Sequence, residues 1–399
     1  MPTMGPERRL RIAYVCEYFR DWGSGHDVSS HARVAHLASR HEVTLYAARV
    51  DAACLPAGVS VRRLPCLPSR LLAAQFLSAR LSWSLCRRLG RLAGRYDLIY
   101  SSSPLWGGED LADVHFCSAA WLRRMAGEEA EAAGLLPRLK RLHARLAHGI
   151  AAVLERAAFG RVRVRGRPLL LPVSRGIAET LAAEFALSPA AMEVLPNSVD
   201  LARFRPGQEP ALRARLCAEA GWDEPGFLLL FVGGGWFRKR LALAVRALAL
   251  LPPQVRLVVV GAGDAAAMRD LADGLGVGGR LHFAGPRSDV ERFYRLADLF
   301  VFPSAFETFG IVTLEALASG LPCLVSRYPG AEELVEEGVD GCFVEDAGTL
   351  AERVRRLLDD PALRGRMAAC ARDRAARFGE AEVLARLSAL VESRARTIR

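Results

Sequence analysis

A chain of 399 residues, 51% hydrophobic and 25% charged, is too long for one small core and has the composition of a soluble globular protein of two domains. No apolar run approaches the ~18–20 residues of a membrane span, and the opening MPTMGPERRLRIAYVCEYF enters a strand almost at once, which argues against a signal peptide. The formal charge is +10, and nine scattered cysteines without a C-x-x-C pair exclude a disulfide frame or a zinc site and read as reduced thiols of a cytoplasmic protein.

In chain order, apolar and β-branched runs predict strands at Arg11–Cys16, Val43–Tyr46, Val59–Leu64, Leu98–Ser101, Asp113–Phe116, Leu169–Val173 and Met192–Leu195. Helices are expected near Val28–Ser39, Leu72–Leu92, Leu135–Phe159 and Ile177–Phe185. Further strands are expected at Phe227–Val232, Arg256–Val260, Arg280–Phe283, Leu299–Phe302 and Cys323–Val325, with helices starting near Arg238, Asp264, Ser288 and Thr308. Strand–helix alternation of this kind argues α/β architecture with parallel sheets covered on both faces. The stretch Pro196–Pro210, with three prolines, a glycine and little periodicity, reads as a linker between two doubly wound domains.

The positive charge is unevenly spread. Residues 1–200 hold 27 Lys+Arg against 18 Asp+Glu, and residues 201–399 hold 27 against 26. It concentrates in Arg70–Arg95 and Arg138–Arg167, where arginine alternates with Leu, Phe, Trp and Ala at roughly helical spacing. Such stretches suit an anionic membrane surface or an anionic acceptor. They equally suit core helices with a solvated arginine face. No helix-turn-helix, zinc finger or aromatic RNA platform supports a nucleic-acid partner.

The densest information lies in DLFVFPSAFETFGIVTLEALASGLPC, Asp298–Cys323. Asp298–Pro303 predicts a short buried strand and Thr308–Ser319 a helix, with Gly310 at the turn between them. The N–H groups around Phe309, Gly310, Ile311 and Val312 would leave the helix start unpaired, an anion site. Glu307 before it and Glu315 within it are suited to accept hydrogen bonds from sugar hydroxyls. Together these features suit a sugar nucleotide. Two glutamates at this spacing would otherwise be solvated acids, but the proline, the glycines and the strand–helix junction favour a site.

Gly233-Gly234-Gly235 follow another strand and allow a tight backbone turn. Arg238 and Lys239, next in sequence, stand where a helix is expected to begin and could neutralise a diphosphate leaving group. The chain has only two lysines, Lys140 and Lys239, so a lysine beside Arg238 points to a compact ammonium. The loop Asp21–His26 carries Gly23 and Gly25, whose amides could approach a phosphate. A plain turn explains a lone G-x-G nearly as well. His115 lies at an expected strand end, able to bond a sugar or to be a satisfied core group, and Asp113 reads as the strand's first residue. VVVGAGDAA, Val258–Ala266, fits a dinucleotide fingerprint with Gly261, Gly263 and Ala266. The acid wanted about 20 positions on is missing, and a tight turn accounts for the glycines. No D-x-D pair or metal-spaced His/Cys set appears.

The segment from Pro303 to Pro322 resembles the retaining glycosyltransferases of family 4, whose E-x7-E motif sits in "PSxxETFGxxxLEALASGxP". The linker resembles that family's "PNGVD…F.P", with Ser198 where glycine is common. The resemblance covers most of the second half and thins in the first half to the glycine loop and the His115 strand. It implies the GT-B fold, two Rossmann-like domains facing across a cleft. Residues 1–200 would bind acceptor, residues 201–378 the nucleotide sugar, and residues 379–399 would form a helix packed back on the first domain. It implies no cofactor and no metal, with a UDP-sugar favoured as donor. His115, Arg238, Lys239 and Glu307 would be catalytic. Gly23, Gly25, Gly234, Phe283, Phe309, Gly310, Ile311 and Glu315 would bind the nucleotide sugar, with the backbone near Phe283–Arg287 receiving the base. Glu307 would hold the donor sugar and Glu315 the ribose. The basic first half and Asp113–Gly160 look most like bacterial lipopolysaccharide-core glucosyltransferases. That implies a lipid-linked or cell-surface glycan acceptor at the inner membrane face. Two other activities fit parts of the sequence: a nucleotide-sugar epimerase or hydrolase of the same fold, and a nicotinamide-dependent oxidoreductase resting on Gly261–Ala266.

Overall fold

Each aliphatic run bounded by glycine, proline or a capping residue becomes a strand of one of two parallel sheets. The computed structural model describes residues 8–20, 25–64, 95–104, 108–127, 135–224 and 226–398. Two compact units result, Met1–Pro196 with Val383–Arg399, and Asn197–Glu382.

In the first unit, β1 (Arg11–Phe19), α1 (Gly25–Arg40), β2 (Glu42–Val50), β3 (Ser60–Arg63), β4 (Leu98–Ser101) and β5 (Leu111–Val114) are followed by α2 (Ser118–Gly127), α3 (Leu135–Arg165), β6 (Leu169–Pro172) and α4 (Arg175–Phe185). The sheet order is β3-β2-β1-β4-β5-β6, with every pair parallel. The Glu155 carboxylate of α3 accepts the Ser118 and Ala119 N–H groups, at 2.8–3.3 Å. It thereby closes the otherwise unsatisfied start of α2.

In the second unit, α5 (Pro210–Ala220), β7 (Phe227–Val232), α6 (Leu241–Ala249), β8 (Val255–Val260), α7 (Ala265–Gly274), β9 (Leu281–Gly285), α8 (Val290–Leu296) and β10 (Leu299–Phe302) lead to α9 (Ile311–Ala318). Then come β11 (Cys323–Val325), α10 (Ala331–Leu334), β12 (Gly341–Phe343), α11 (Ala347–Asp359) and α12 (Pro361–Ala376). The order is β12-β11-β10-β7-β8-β9. All six residues of β7 and all four of β10 are buried, as a sheet covered on both faces requires.

The last helix, α13 (Glu380–Ile398), belongs mostly to the first unit. Val383, Leu387, Val391 and Ala395, four positions apart, fall on one helical face. They join Ile12, Tyr14, Leu98 and Leu111 in that unit's core.

Several expectations need correction. Met192–Leu195 lies along β6, with Glu193 and Leu195 donating to the Leu170 and Pro172 carbonyls, but it forms an isolated bridge at Met192 rather than a full strand. The strand expected at Asp113–Phe116 starts two residues earlier, at Leu111, so Asp113 is its third residue rather than its first. The helix expected from Thr308 starts at Ile311, because Gly310 at φ 91° breaks helical geometry. The helix expected near Arg238 starts at Leu241, so both cations stand in the turn before it. Leu72–Leu92 lies outside the described residues, and β12, α2, α5, α10, α11 and α12 were not anticipated.

Candidate functional site

Strand order builds the site. β7 is paired with β8 on one side and with β10, which comes later in the chain, on the other. The connections leaving β7 and β10 therefore diverge, which opens a crevice at the carboxyl ends of the two strands. The Gly233–Lys239 turn leaves β7, and the Pro303–Gly310 loop leaves β10.

These two segments are stitched together. The Arg238 carbonyl accepts the Ala305 N–H at 2.9 Å and the Ser304 hydroxyl at 3.3 Å. The Arg238 guanidinium donates to the Phe306 carbonyl at 2.5 Å and to Glu307 Oε1 at 2.6 Å. Lys239 sits between the ends of the same two strands. Its Nζ lies 5.0 Å from the centre of the Phe302 ring. It also covers Gly233, where an added Cβ would fall 2.0 Å from Nζ. Burial lowers the Lys239 pKa and Arg238 adds to this, while Glu307 and Glu315 oppose it.

Glu315 is pushed up to about 7 by burial, against the stabilising Tyr294 hydroxyl, Arg203 and Lys239. That hydroxyl donates to Glu315 Oε2 at 2.8 Å. Gly310 caps α9, and Thr313 and Leu314 both donate to its carbonyl. The earlier N–H groups of Gly310, Ile311 and Val312 therefore leave the helix start. A Cβ on Gly310 would meet the Tyr328 hydroxyl at 2.5 Å. Phe309 itself is buried, its ring edge-on to Phe378.

Arg238, Lys239, Glu307, Glu315 and the start of α9 thus converge in the second unit. Gly234 sits exposed in the same turn. Phe283, in β9, stacks on Trp236 at 5.3 Å, and the Trp236 indole donates to the Gly233 carbonyl at 2.8 Å. Here the glycines of VVVGAGDAA find their reason. A Cβ on Gly261 would meet the Gly233 carbonyl oxygen at 2.4 Å, and one on Gly263 the Trp236 ring at 2.2 Å. Close approach of two turns requires both glycines.

The remaining sequence-predicted residues belong to the first unit. Gly23 lies outside the described residues, and Gly25 opens α1. His115 stands one residue past β5, its ring centroid 4.6 Å from that of His26. Its Nε2 is 3.7 Å from Asp113 Oδ2. Asp113 is fully buried and ion-paired with Arg33, and its Oδ1 accepts the Tyr100 hydroxyl at 2.7 Å. Burial pushes this carboxyl up, but Arg33, His115 and Tyr100 bring it below its ordinary value. Burial lowers His115 despite Asp113. Burial and His115 together bring His26 down to about 3. Both imidazoles are therefore neutral at physiological pH, beside a carboxylate that stays ionised. Sequence reading passed over Arg33, Tyr100, His26 and Tyr294. The one local signal was Asp113 two positions before His115, the spacing that shares a face of a strand. Among the described residues no group of three His, Cys, Asp or Glu side chains could hold a metal ion.

Residues 214–374 match the family model described as glycosyl transferases group 1. The D-inositol 3-phosphate glycosyltransferase 1 of Catenulispora acidiphila is 36% identical over 233 residues, 54% of this chain and 55% of that protein. That of Mycobacterium sp. strain JLS is 37% identical over 191 residues, 45% of this chain and 42% of its own length. The Salinispora arenicola protein of the same name is 31% identical over 310 residues, 72% and 66% of the two chains. The chain spans about half the length of the first two relatives. Among solved structures, WaaG, a glycosyltransferase involved in lipopolysaccharide biosynthesis, superposes with a TM-score of 0.75 at 23% identity, over 95% of this chain and 99% of its own. Anabaena HepE in complex with UDP and glucose gives 0.70 at 19% identity, over 96% and 100%. Two doubly wound Rossmann-like units with this strand order are the GT-B fold. Residues 214–374 thus match a group 1 glycosyltransferase domain within this chain.

Proposed function

We propose that this protein is a retaining, metal-independent glycosyltransferase that moves a sugar from a nucleotide-sugar donor, a UDP-sugar favoured, to a lipid-linked or cell-surface glycan acceptor. Residues 201–378 would take the donor and residues 1–200 the acceptor. The observation that carries the reading is the meeting of Arg238, Lys239, Glu307, Glu315 and the start of α9 at the β7/β10 switch point. Positive groups and unpaired amides suit a diphosphate, and the two acids suit hydroxylated rings on either side.

In this mechanism the acceptor hydroxyl attacks the anomeric carbon from the face the diphosphate leaves. The bond to the phosphate oxygen breaks, and that oxygen takes the acceptor proton. Arg238 and Lys239 stabilise the charge that develops on it. Glu307, held by Arg238, orients the donor sugar, and Glu315 the ribose. His115 keeps the role the resemblance implies, a hydrogen bond to the transferring sugar, supported by a neutral imidazole beside an ionised carboxylate. HepE, solved with UDP and glucose, supports the donor class.

Two observations bear on the acceptor. Leu142, Leu146, Ile150 and Val153 of α3 are exposed at spacings of four, four and three. They form one apolar stripe, and Arg145 and Arg156 of the same helix are exposed as well. This supports contact with an anionic membrane surface and a lipid-linked acceptor. The names of the sequence relatives favour a second reading, a small inositol phosphate acceptor.

The test is incubation with UDP-, GDP- and ADP-sugars, with and without a lipid-linked glycan or inositol 3-phosphate. Acceptor-dependent release of nucleoside diphosphate, unchanged by EDTA, and a product with the donor's anomeric configuration are expected. Release without acceptor would favour the hydrolase or epimerase, and binding of nicotinamide dinucleotide alone the oxidoreductase.

A further inference from the structure

We propose that Tyr294 is a positioning residue for Glu315: its phenol holds one carboxylate oxygen and keeps the other, ionised and oriented, for the ribose hydroxyls of the nucleotide. The proposal rests on the reading that Glu315 meets that ribose. Tyr294 lies in α8 and Glu315 in α9, 21 positions apart. The Tyr294 side chain is fully buried, with its ring 5.8 Å from those of both Phe204 and Phe300. So enclosed, its hydroxyl has few orientations. It bonds Glu315 Oε2 at 2.8 Å and the Val312 carbonyl at 3.2 Å. Among the described residues Tyr294 is the only hydrogen-bond donor to Glu315, and it engages Oε2 alone.

The charged and titratable groups that act on Glu315 are Arg203 and Lys239, which favour the carboxylate, and Glu291, which opposes it. Cys323 lies near enough to act on the phenol. Burial of Glu315 opposes ionisation, and the phenol is the strongest opposing influence. A carboxylate accepts from ribose at every lone pair, whereas a carboxylic acid spends one oxygen on its own proton. Loss of the Tyr294 hydroxyl should therefore leave Glu315 protonated up to a higher pH.

The experiment measures UDP affinity by calorimetry from pH 5.5 to 9.5 for the wild type, Tyr294→Phe and Glu315→Gln. The ratio of wild-type to variant affinity cancels the ionisation of UDP itself. For Tyr294→Phe we expect about fivefold weaker binding near pH 7, recovering toward the wild type by pH 9.5, as a midpoint moved up by about one pH unit requires. A ratio that stays constant across the range overturns the proposal, since a merely structural phenol would weaken binding uniformly. If Tyr294→Phe does not fold, Glu315→Gln carries the test. Wild-type affinity should converge on that of Glu315→Gln in acid and exceed it above pH 8, and a flat ratio again overturns the proposal. A wild type that binds no UDP, GDP or ADP at any pH removes the ribose reading itself, and the proposal with it.

Discussion

At the scale of single residues, the local geometry separates lysine from arginine at position 239. The Lys239 ammonium fits against the bare Cα of Gly233 and over the Phe302 ring, a space a planar guanidinium would overfill. Lys239→Ala should lower kcat by roughly 10²–10³-fold, the loss expected of one oxyanion-type donor. Lys239→Arg should not restore it. Initial rates of nucleoside diphosphate release decide both. Glu315 makes a prediction about stability. Its pKa of about 7 in the fold exceeds the ordinary 4.5. Below pH 4.5 it is protonated whether folded or unfolded and costs the fold nothing. As pH rises toward 7 the unfolded chain ionises first, so stability is lost over that window. Glu315→Gln should therefore stabilise the ligand-free protein by up to about 3 kcal/mol at pH 8 and by little at pH 4.5, as read by denaturant melts. Arg238, Lys239, Glu307 and Glu315 were legible as candidates because each sits beside a glycine turn or helix start. Tyr294, Arg33 and Tyr100 were not, because their partners lie 21, 80 and 13 positions away, and no short-range pattern encodes such pairings.

At the scale of elements, the loop-to-helix junction at Gly310 is the part most sensitive to a single atom. Its φ of 91° disfavours any side chain, and a Cβ would stand 2.5 Å from the Tyr328 hydroxyl. Gly310→Ala should cost about 2–4 kcal/mol from backbone strain and overpacking together. It should also weaken UDP binding, because the amides that follow would be displaced. Adding Tyr328→Phe, which removes the nearest obstructing atom, should recover part of the overpacking share, since ring carbons at 3.0 and 3.1 Å remain and Thr313 loses its hydroxyl partner. A double-mutant cycle of urea midpoints measures the coupling between the two positions, with a positive recovery expected. Strand cores were legible here because long aliphatic runs in parallel sheets are buried on both faces. Element ends were less so. Arg238 and Lys239 read as the start of a helix, yet Arg240 at φ 50° holds them in the preceding turn. Met192–Leu195 has the composition of a strand and runs beside β6, with the Glu193 and Leu195 N–H groups donating to the Leu170 and Pro172 carbonyls, but it forms only an isolated bridge and no ladder.

At the scale of the whole molecule, the two ends of the described chain share one core. Leu387 of α13 is fully buried among residues of β1, β4 and β5. Leu387→Ala should destabilise the first unit by about 2–5 kcal/mol, although the unit's first segment ends at Pro196, far back in the chain. Thermal unfolding with and without UDP tests this: the first unit's transition should fall, while the nucleotide's stabilising effect on the second persists. The sequence by itself determined the alternation of strand and helix, the parallel sheets, the glycine turns and the four charged residues of the candidate site, since hydrophobic period, turn chemistry and spacing are local. Only the tertiary structure decided which strands adjoin, why Gly261 and Gly263 are needed, that Asp113 is a buried ion-pair partner, and that Glu315 titrates near neutrality. Desolvation and pairing depend on atoms brought together from distant parts of the chain, and the order of residues alone does not contain those distances.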